Sequence, residues 1–313
     1  MKQKTKNKIK ENVVGYILIA PLLLSLTVFT IYPLLLSFFQ SFFTDFTIKK
    51  HTTYDWSTFG FGNYINAFKD EAFWKALRLT FTYAAISVPV MLILSFVAAY
   101  FLSKDFKGAK VFRVLYYLPC LIPGIVGAII YRYIYAGDAY GFINSFLYTF
   151  HIRDFASQEA LAFFDSEQEV VALASFISMG LFGIGGSSPF WIAGFKSIPK
   201  SYYEAAELDG ISKPRIFFKI TIPMMSKYIF FQVITAFIGA FQIGQAVLQY
   251  SVLGGKNGNL TFLGLIIYNN VQAAGGYNFG YASALSYILF IIIAGLSIIL
   301  FRYNKFVYYE GDN

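Results

Sequence analysis

Charged residues along this chain are spaced so that they leave long uncharged, mostly apolar runs between them. The runs are 12–44, 79–103, 114–131, 170–195, 228–255 and 257–301. A helix needs about 20 mostly apolar residues to cross a bilayer, so each of the first five supplies one span. The last run is mixed. Its first part carries Asn269, Asn270, Gln272, Gly275 and Gly276, whereas 281–300 is apolar enough to span. The pattern predicts an all-α integral membrane protein with six transmembrane helices, and a short apolar helix over 260–268 at the outer surface. The first run opens on Lys2, Lys4, Lys6, Lys8 and Lys10 like a secretion signal. Its apolar part is too long and no small-residue cleavage motif follows, so it reads as a retained helix, bent at Pro21 and Pro33.

Composition agrees with a membrane protein. Hydrophobic residues make up 57% of the 313 residues and charged residues 13%, with a mean hydropathy of +0.56. A soluble domain carries roughly 25% charge, so a cytosolic enzyme is excluded, as is a disordered chain. The net charge of +8 is explained by position. With the N-terminus inside, 17 of the 25 Lys and Arg fall in inner segments, which places both termini in the cytoplasm. The chain then divides into a basic segment 1–12, a transmembrane body 13–303 and a tail 304–313.

The motifs of common chemistries are missing. The sequence has no G-x-x-x-x-G-K-[ST] phosphate loop, no G-x-S-x-G and no H-E-x-x-H,. His51 and His151 are too few for a His-based metal site, and Cys120, alone in an apolar stretch, reads as packing,. Arg132, at the outer end of the third run, is placed to snorkel to the interface. No catalytic residue and no metal site is predicted.

The inner loop 198–228, about thirty residues long, exceeds what a plain helix–helix connection needs. It reads as two short helices. Ser201 and Glu204 form a capping-box pattern for the first, Gly210 ends it in a left-handed conformation, Ser212 caps the second and Pro223 closes it. Glu204-Ala205-Ala206, then Gly210, Ile220 and Ile222-Pro223, resembles the E-A-A-x-x-x-G-x(9)-I-x-L-P signature of ABC-importer permeases, with Ile222 in place of Leu. Four further stretches are similar to the sugar branch of that family, the permeases of the maltose and glycerol-phosphate importer type. They are Phe61-Gly62-Asn63-Tyr64; Phe112-Arg113 with Leu118-Pro119; Tyr131-Arg132-Tyr133 with Gly141-Phe142-Ile143-Asn144; and Phe279-Gly280-Tyr281-Ala282-Ser283-Ala284.

The resemblance implies a division of labour. A second homologous permease, two cytoplasmic ATPase subunits and an extracytoplasmic solute-binding protein are the expected partners, beside membrane lipid and the sugar. ATP and Mg belong to the ATPase, and this chain binds no cofactor of its own. Loop 198–228 is then the coupling loop, where Glu204, Ala205, Ala206, Gly210 and Pro223 serve contact and shape. For the sugar path, polar groups and aromatic faces inside spans are the candidates. These are Gln242, Gln245 and Gln249, which share one face of a helix; Gly183, Gly186 and Ser187, in a stretch suited to close approach or unwinding; and Tyr131 and Tyr135, one turn apart. Hydrogen bonds between helices and interfacial aromatic belts produce the same patterns. Two rival readings are an importer permease for amino acids or peptides and an integral-membrane enzyme.

Overall fold

The computed structural model describes residues 2–44, 46, 54–152, 160–243, 254–272 and 278–302, with side chains from residue 14 onward. Among these residues the fold is all helix; the one sheet-like contact is an isolated bridge between Phe43 and Phe59. Four helical stretches are long and apolar enough to cross a membrane: Val14–Gln40, Glu71–Ser103, Glu169–Ser197 and Phe279–Arg302. Two more pass only as bent pairs, Ala109–Leu121 with Gly124–Ile134 at 93°, and Lys213–Met224 with Ser226–Phe241 at 66°. The described residues therefore hold four spans, or six if each bent pair counts as one. The chain forms two compact units, Met1–Asp70 with Ile267–Ile288, and Glu71–Ile266 with Leu289–Asn313.

In the first unit, α1 (Lys2–Leu26) and α2 (Tyr32–Gln40) join through a π-helical turn, Thr27–Ile31. Proline lacks an N–H and crowds the carbonyl four residues back. The wider turn, in which Tyr32 donates to Thr27 O, accommodates Pro33. The helix thus continues past Pro33, and Val14–Gln40 passes as a single span. After it comes α3 (Gly62–Lys69). Asn63 is buried and donates to Ser41 O (2.9 Å) and Phe43 O (3.0 Å). Gly280 opens the last helix against the same carbonyl: a Cβ there would lie 2.1 Å from Phe43 O and 3.0 Å from Asn63 Nδ2. Two of the sequence motifs, around Asn63 and Gly280, thus lock together because one supplies an amide and the other supplies no side chain.

The second unit is built on α4 (Glu71–Ser103), which packs on α9 (Ser188–Ser197) and α13 (Ser226–Phe241). One core gathers Leu79, Leu173, Phe176, Leu260, Phe262 and Leu265, and a second gathers Ala99, Trp191, Phe195, Ile198 and Met225. The predicted outer helix 260–268 is corrected here. The helix runs Leu263–Gln272, and Leu260, Phe262 and Leu263 are buried core residues rather than surface ones. Leu263 N donates to Thr80 Oγ1 at 3.1 Å.

The third predicted span is also corrected. It consists of α5 (Ala109–Tyr117), a 3₁₀ turn Leu118–Leu121, and α6 (Gly124–Ile134) after a sharp break. Pro123 causes it, whereas Pro119 sits inside the 3₁₀ turn after a helical Leu118. A residue before proline is pushed to extended backbone, and Ile122 has ψ 125°. Arg113 caps the preceding span, donating through Nε to Leu102 O (2.7 Å) and through Nη2 to Lys104 O (3.1 Å). Asn144, in α7 (Phe142–Thr149), is buried; its amide donates to Ala136 O and Leu161 O and accepts from Leu161 N at 2.9 Å.

On the loops, Lys256 pairs with Glu167 at 2.8 Å. The ammonium holds the Glu167 carboxyl below its usual range, and the carboxylate raises Lys256. The pair is intact between those two values and is lost as pH falls through the one or rises through the other. Being fully exposed, it contributes little to stability.

Candidate functional site

The fourth span changes helix type at its glycines. α8 (Glu169–Gly180) gives way to a 3₁₀ stretch, Leu181–Ser187, before α9. The sequence suggested either close approach or unwinding; the stretch winds more tightly instead, and close approach occurs at Gly185. A Cβ on Gly185 would sit 2.0 Å from Tyr116 O, so this glycine lets the 3₁₀ turn touch the backbone of α5. Gly183, by contrast, has no atom within 4 Å of where its Cβ would be.

That space belongs to two cavities. The first, of about 410 Å³, lies between α4, the 3₁₀ stretch and α13. Gly180, Gly183 and Gly186 form one wall, and Ser95, Ser187, Gln232 and Thr235 supply the polar groups. Ser95 Oγ accepts from the buried Trp191 Nε1 at 3.1 Å, and Thr235 Oγ1 lies 3.2 Å from Gln232 Oε1. The Gln232 amide N–H₂ has no partner within hydrogen-bond distance among the described residues, so its two donors face the cavity unengaged. The second, of about 550 Å³, fills the angle of the 93° break and is mostly apolar, with Tyr131, Phe182 and Cys120 on its walls. Gly183 borders both.

Of the predicted path residues, the structure brings Gly183, Gly186 and Ser187 to the first cavity and Tyr131 and Gly183 to the second. Tyr135 faces neither. Its hydroxyl lies 2.8 Å from Ser178 Oγ and its ring packs on Phe163 and Phe164. Gln242 is corrected in its geometry: α13 ends at Phe241, and Gln242 is its exposed C-cap with φ −100° and ψ 33°. Gln245 and Gln249, the other members of the predicted stripe, lie outside the described residues. Sequence reasoning missed Gln232 and Thr235, one turn apart on α13. The later glutamines offered a longer polar stripe and drew attention from them.

In loop 198–228, α10 (Lys200–Leu208) and α11 (Lys213–Ile216) form as predicted, but the capping box does not. Pro199 is the N-cap and no side chain caps the helix, because Ser201 already lies inside it. Glu204 is exposed and has no ion pair among the described residues. Gly210 is left-handed at φ +70°. Ile211 N donates to Ala206 O (2.9 Å) and Gly210 N to Glu207 O (3.1 Å), the paired bonds of a Schellman end. Ser212 holds the N-cap position of α11 without a side-chain bond. Pro223 does not close this helix. A π turn, Phe217–Thr221, carries it into α12 (Ile222–Met224), and the break comes at Met225. The loop is clamped to the spans through Ile198, Tyr203, Met224 and Met225, packed with Phe96, Tyr100 and Phe195. Tyr203 Oη lies 3.2 Å from Thr221 Oγ1, and burial pushes its phenol up. Ala206 is buried while Glu204, Ala205, Leu208 and Gly210 face outward.

Apolar spans, two broken helices and a cavity between α4, the fourth span and α13 with a few polar groups on its wall mark a multi-pass membrane protein. Residues 58–307 match the family described as binding-protein-dependent transport system inner membrane component, and the chain belongs to it. As such it is a transport component and not itself an enzyme. It is 33% identical over 319 aligned positions to the probable ABC transporter permease protein YesP of Bacillus subtilis, covering 99% of this chain and 96% of that one. It is 28% identical to the lactose transport system permease LacF of Rhizobium radiobacter (92% of each chain), and 26% to the trehalose/maltose permease MalF of Thermococcus litoralis (96% and 97%). A crystal structure of a bacterial alginate ABC transporter, in complex with an alginate pentasaccharide-bound periplasmic protein, shares the fold. The TM-score is 0.79 at 17% identity, over 96% of both chains.

Proposed function

We propose that this chain is the permease subunit of an ATP-driven importer that moves a sugar or oligosaccharide into the cytoplasm by alternating access. The observation that carries this reading is the first cavity, where hydroxyls and an unengaged amide stand opposite a wall of glycines. Sugars need many hydrogen bonds and close approach to their rings, and polar groups within spans tend to face a cavity. The names of the relatives, lactose and trehalose/maltose among them, support the substrate class.

Loop 198–228 is the coupling loop in this reading. Glu204, Ala205 and Gly210 present the outward face to an ATPase, Ala206 and Pro223 hold its shape, and ATP and Mg are used by that partner. A second permease, a pair of ATPases and a solute-binding protein complete the assembly. Gly183, Gly186, Ser187 and Tyr131 line the path with Ser95, Gln232 and Thr235. Tyr135 supports it from behind, and Gln242, Gln245 and Gln249, beyond α13 in the sequence, belong to the path in this reading.

Gln232→Leu is expected to lower sugar uptake with the complex still assembled. A lost hydrogen bond costs about 1 kcal/mol, roughly five-fold in affinity. Unchanged uptake in vesicles would remove Gln232 from the path. The six-span topology has both ends inside. In a Cys120→Ser background, a cysteine at Asn7 or Asp312 is expected to resist impermeant thiol reagents in whole cells, while one at Lys256 labels. Ready labelling of both termini would contradict that orientation.

A further inference from the structure

The three hydroxyls on the wall of the first cavity, those of Ser95, Ser187 and Thr235, have their hydrogens committed inside the chain. Ser95 Oγ donates to Leu92 O at 3.1 Å and Ser187 Oγ to Ile184 O at 3.2 Å. Thr235 Oγ1 donates to Phe231 O at 2.9 Å, with the backbone carbonyl and Oε1 of Gln232 as further acceptors, each at 3.2 Å. A hydroxyl carries one hydrogen and two acceptor lone pairs. Toward the cavity these three groups therefore accept and do not donate.

Ser95 is also fixed in direction. It is buried, as is Trp191. The indole N–H is the one side-chain donor of Trp191, and it goes to Ser95 Oγ at 3.1 Å. The Phe96 ring meets the indole edge-on at 5.1 Å and holds it in place. Ser95 is left with a single lone pair for the cavity. The donors there are the two amide N–H groups of Gln232. A ligand group that only accepts thus meets oxygen at three of the four polar side chains. A sugar hydroxyl donates to one of those oxygens and accepts from Gln232 through its own.

Resting on the importer reading above, we infer that the first cavity selects its ligand by taking hydrogen bonds from it. Ser95, Ser187 and Thr235 accept from hydroxyls of an uncharged sugar ring, and Gln232 donates back. A site built to receive a hydrogen bond rejects an analogue that lacks the donor, because the site's own group is then left unpaired. Specificity in this cavity follows the placement of the substrate's O–H groups, not of its oxygens alone.

The test is uptake by proteoliposomes holding the complete importer, with its binding protein outside and ATP inside. The probes are radiolabelled maltose, lactose and trehalose, and the singly deoxyfluorinated forms of each sugar that accumulates. Fluorine replaces a hydroxyl at similar size but has no hydrogen to donate. The variants are Ser95→Ala and Thr235→Val. Ser95→Ala leaves the buried Trp191 N–H unpaired, so the isosteric Thr235→Val, at an exposed position, gives an independent reading if the first fails to assemble. The binding protein is the same throughout, so a change in the analogue-to-parent KM ratio between wild type and variant belongs to this chain. The expected result is a several-fold higher KM at some fluorinated positions in the wild type, with the penalty at one position lost in Thr235→Val and at another in Ser95→Ala. Penalties of wild-type size at every position in each assembled variant, or no penalty at any position in the wild type, would overturn the inference. Accumulation of the parent sugar tests the proposed function and the ratio tests this inference, so the two fail separately.

Discussion

Gly210→Val is expected to insert in the membrane normally and to abolish sugar-stimulated ATP hydrolysis by the assembled importer. Gly210 sits at φ +70° and closes α10 through its own N–H and that of Ile211. The left-handed region costs an ordinary L residue about 1–2 kcal/mol, and a β-branched one more. The turn that sets α10 against α11 would deform, and with it the outward face that carries Glu204 and Ala205. Nothing within the chain lies within 4 Å of where the Cβ would be, so the damage comes from backbone shape or from whatever docks outside. Gly210→Asn separates the two, since asparagine tolerates this conformation. Restored hydrolysis in that variant points to shape, and continued loss points to close docking. Glu204→Gln is expected to have a smaller effect, because it removes a charge without changing the helix. Wild-type assembly, hydrolysis and transport in Gly210→Val would show that this loop is not the coupling element.

Gly183→Leu is expected to cut uptake about ten-fold or more, equivalent to at least about 1.4 kcal/mol, without disturbing assembly. The position borders both cavities and has open space where a side chain would grow. A leucine there fills the route instead of clashing with the wall. Gly185→Leu is the matched contrast two residues on. Its Cβ would meet Tyr116 O at 2.0 Å, so this variant is expected to lose the packing of α5 on the fourth span and to fail in assembly. The pair distinguishes a blocked path from a broken fold. Uptake in vesicles and size-exclusion chromatography of the complex read the two effects. Wild-type transport by Gly183→Leu would mean that the substrate passes elsewhere.

How far the sequence reveals this molecule differs from element to element. The straight span Glu71–Ser103 is legible because apolar residues run without interruption through 79–103. Its first turns are not, because Lys75 and Arg78 interrupt the run while the backbone stays helical. Charge bounds what lipid can cover, not what a helix can include. The breaks at Ile122 and Met225 are hidden for a related reason. A hydropathy count is blind to direction, and Pro123 had to be read as geometry. The two prolines that follow π turns, Pro33 and Pro223, do not end their helices at all. Local composition signals a proline, but whether a wider turn accommodates it depends on the packing around it.

The candidate site shows the same division. The left-handed Gly210 and the close approach at Gly185 were readable from glycine placement, whereas the tighter 3₁₀ winding over 181–187 was not. Gln232 was not, since its meaning comes from facing Gly183 and Ser95 across three elements distant in sequence. The four flanking motifs pointed to the family, and each proves to hold the fold at a named residue. Asn63 and Gly280 meet at the end of the first span, Arg113 caps α4, and Asn144 ties Ala136 to Leu161.

The central claim is that this subunit carries a sugar across the membrane with energy from a partner's ATP hydrolysis. The most direct measurement is uptake of radiolabelled solutes by proteoliposomes holding the complete complex, with its binding protein outside and ATP inside. Accumulation of a mono- or oligosaccharide that requires ATP and is lost in Gly183→Leu is the predicted result. Accumulation of amino acids or peptides in place of sugars, or sugar uptake that continues without ATP, would contradict it.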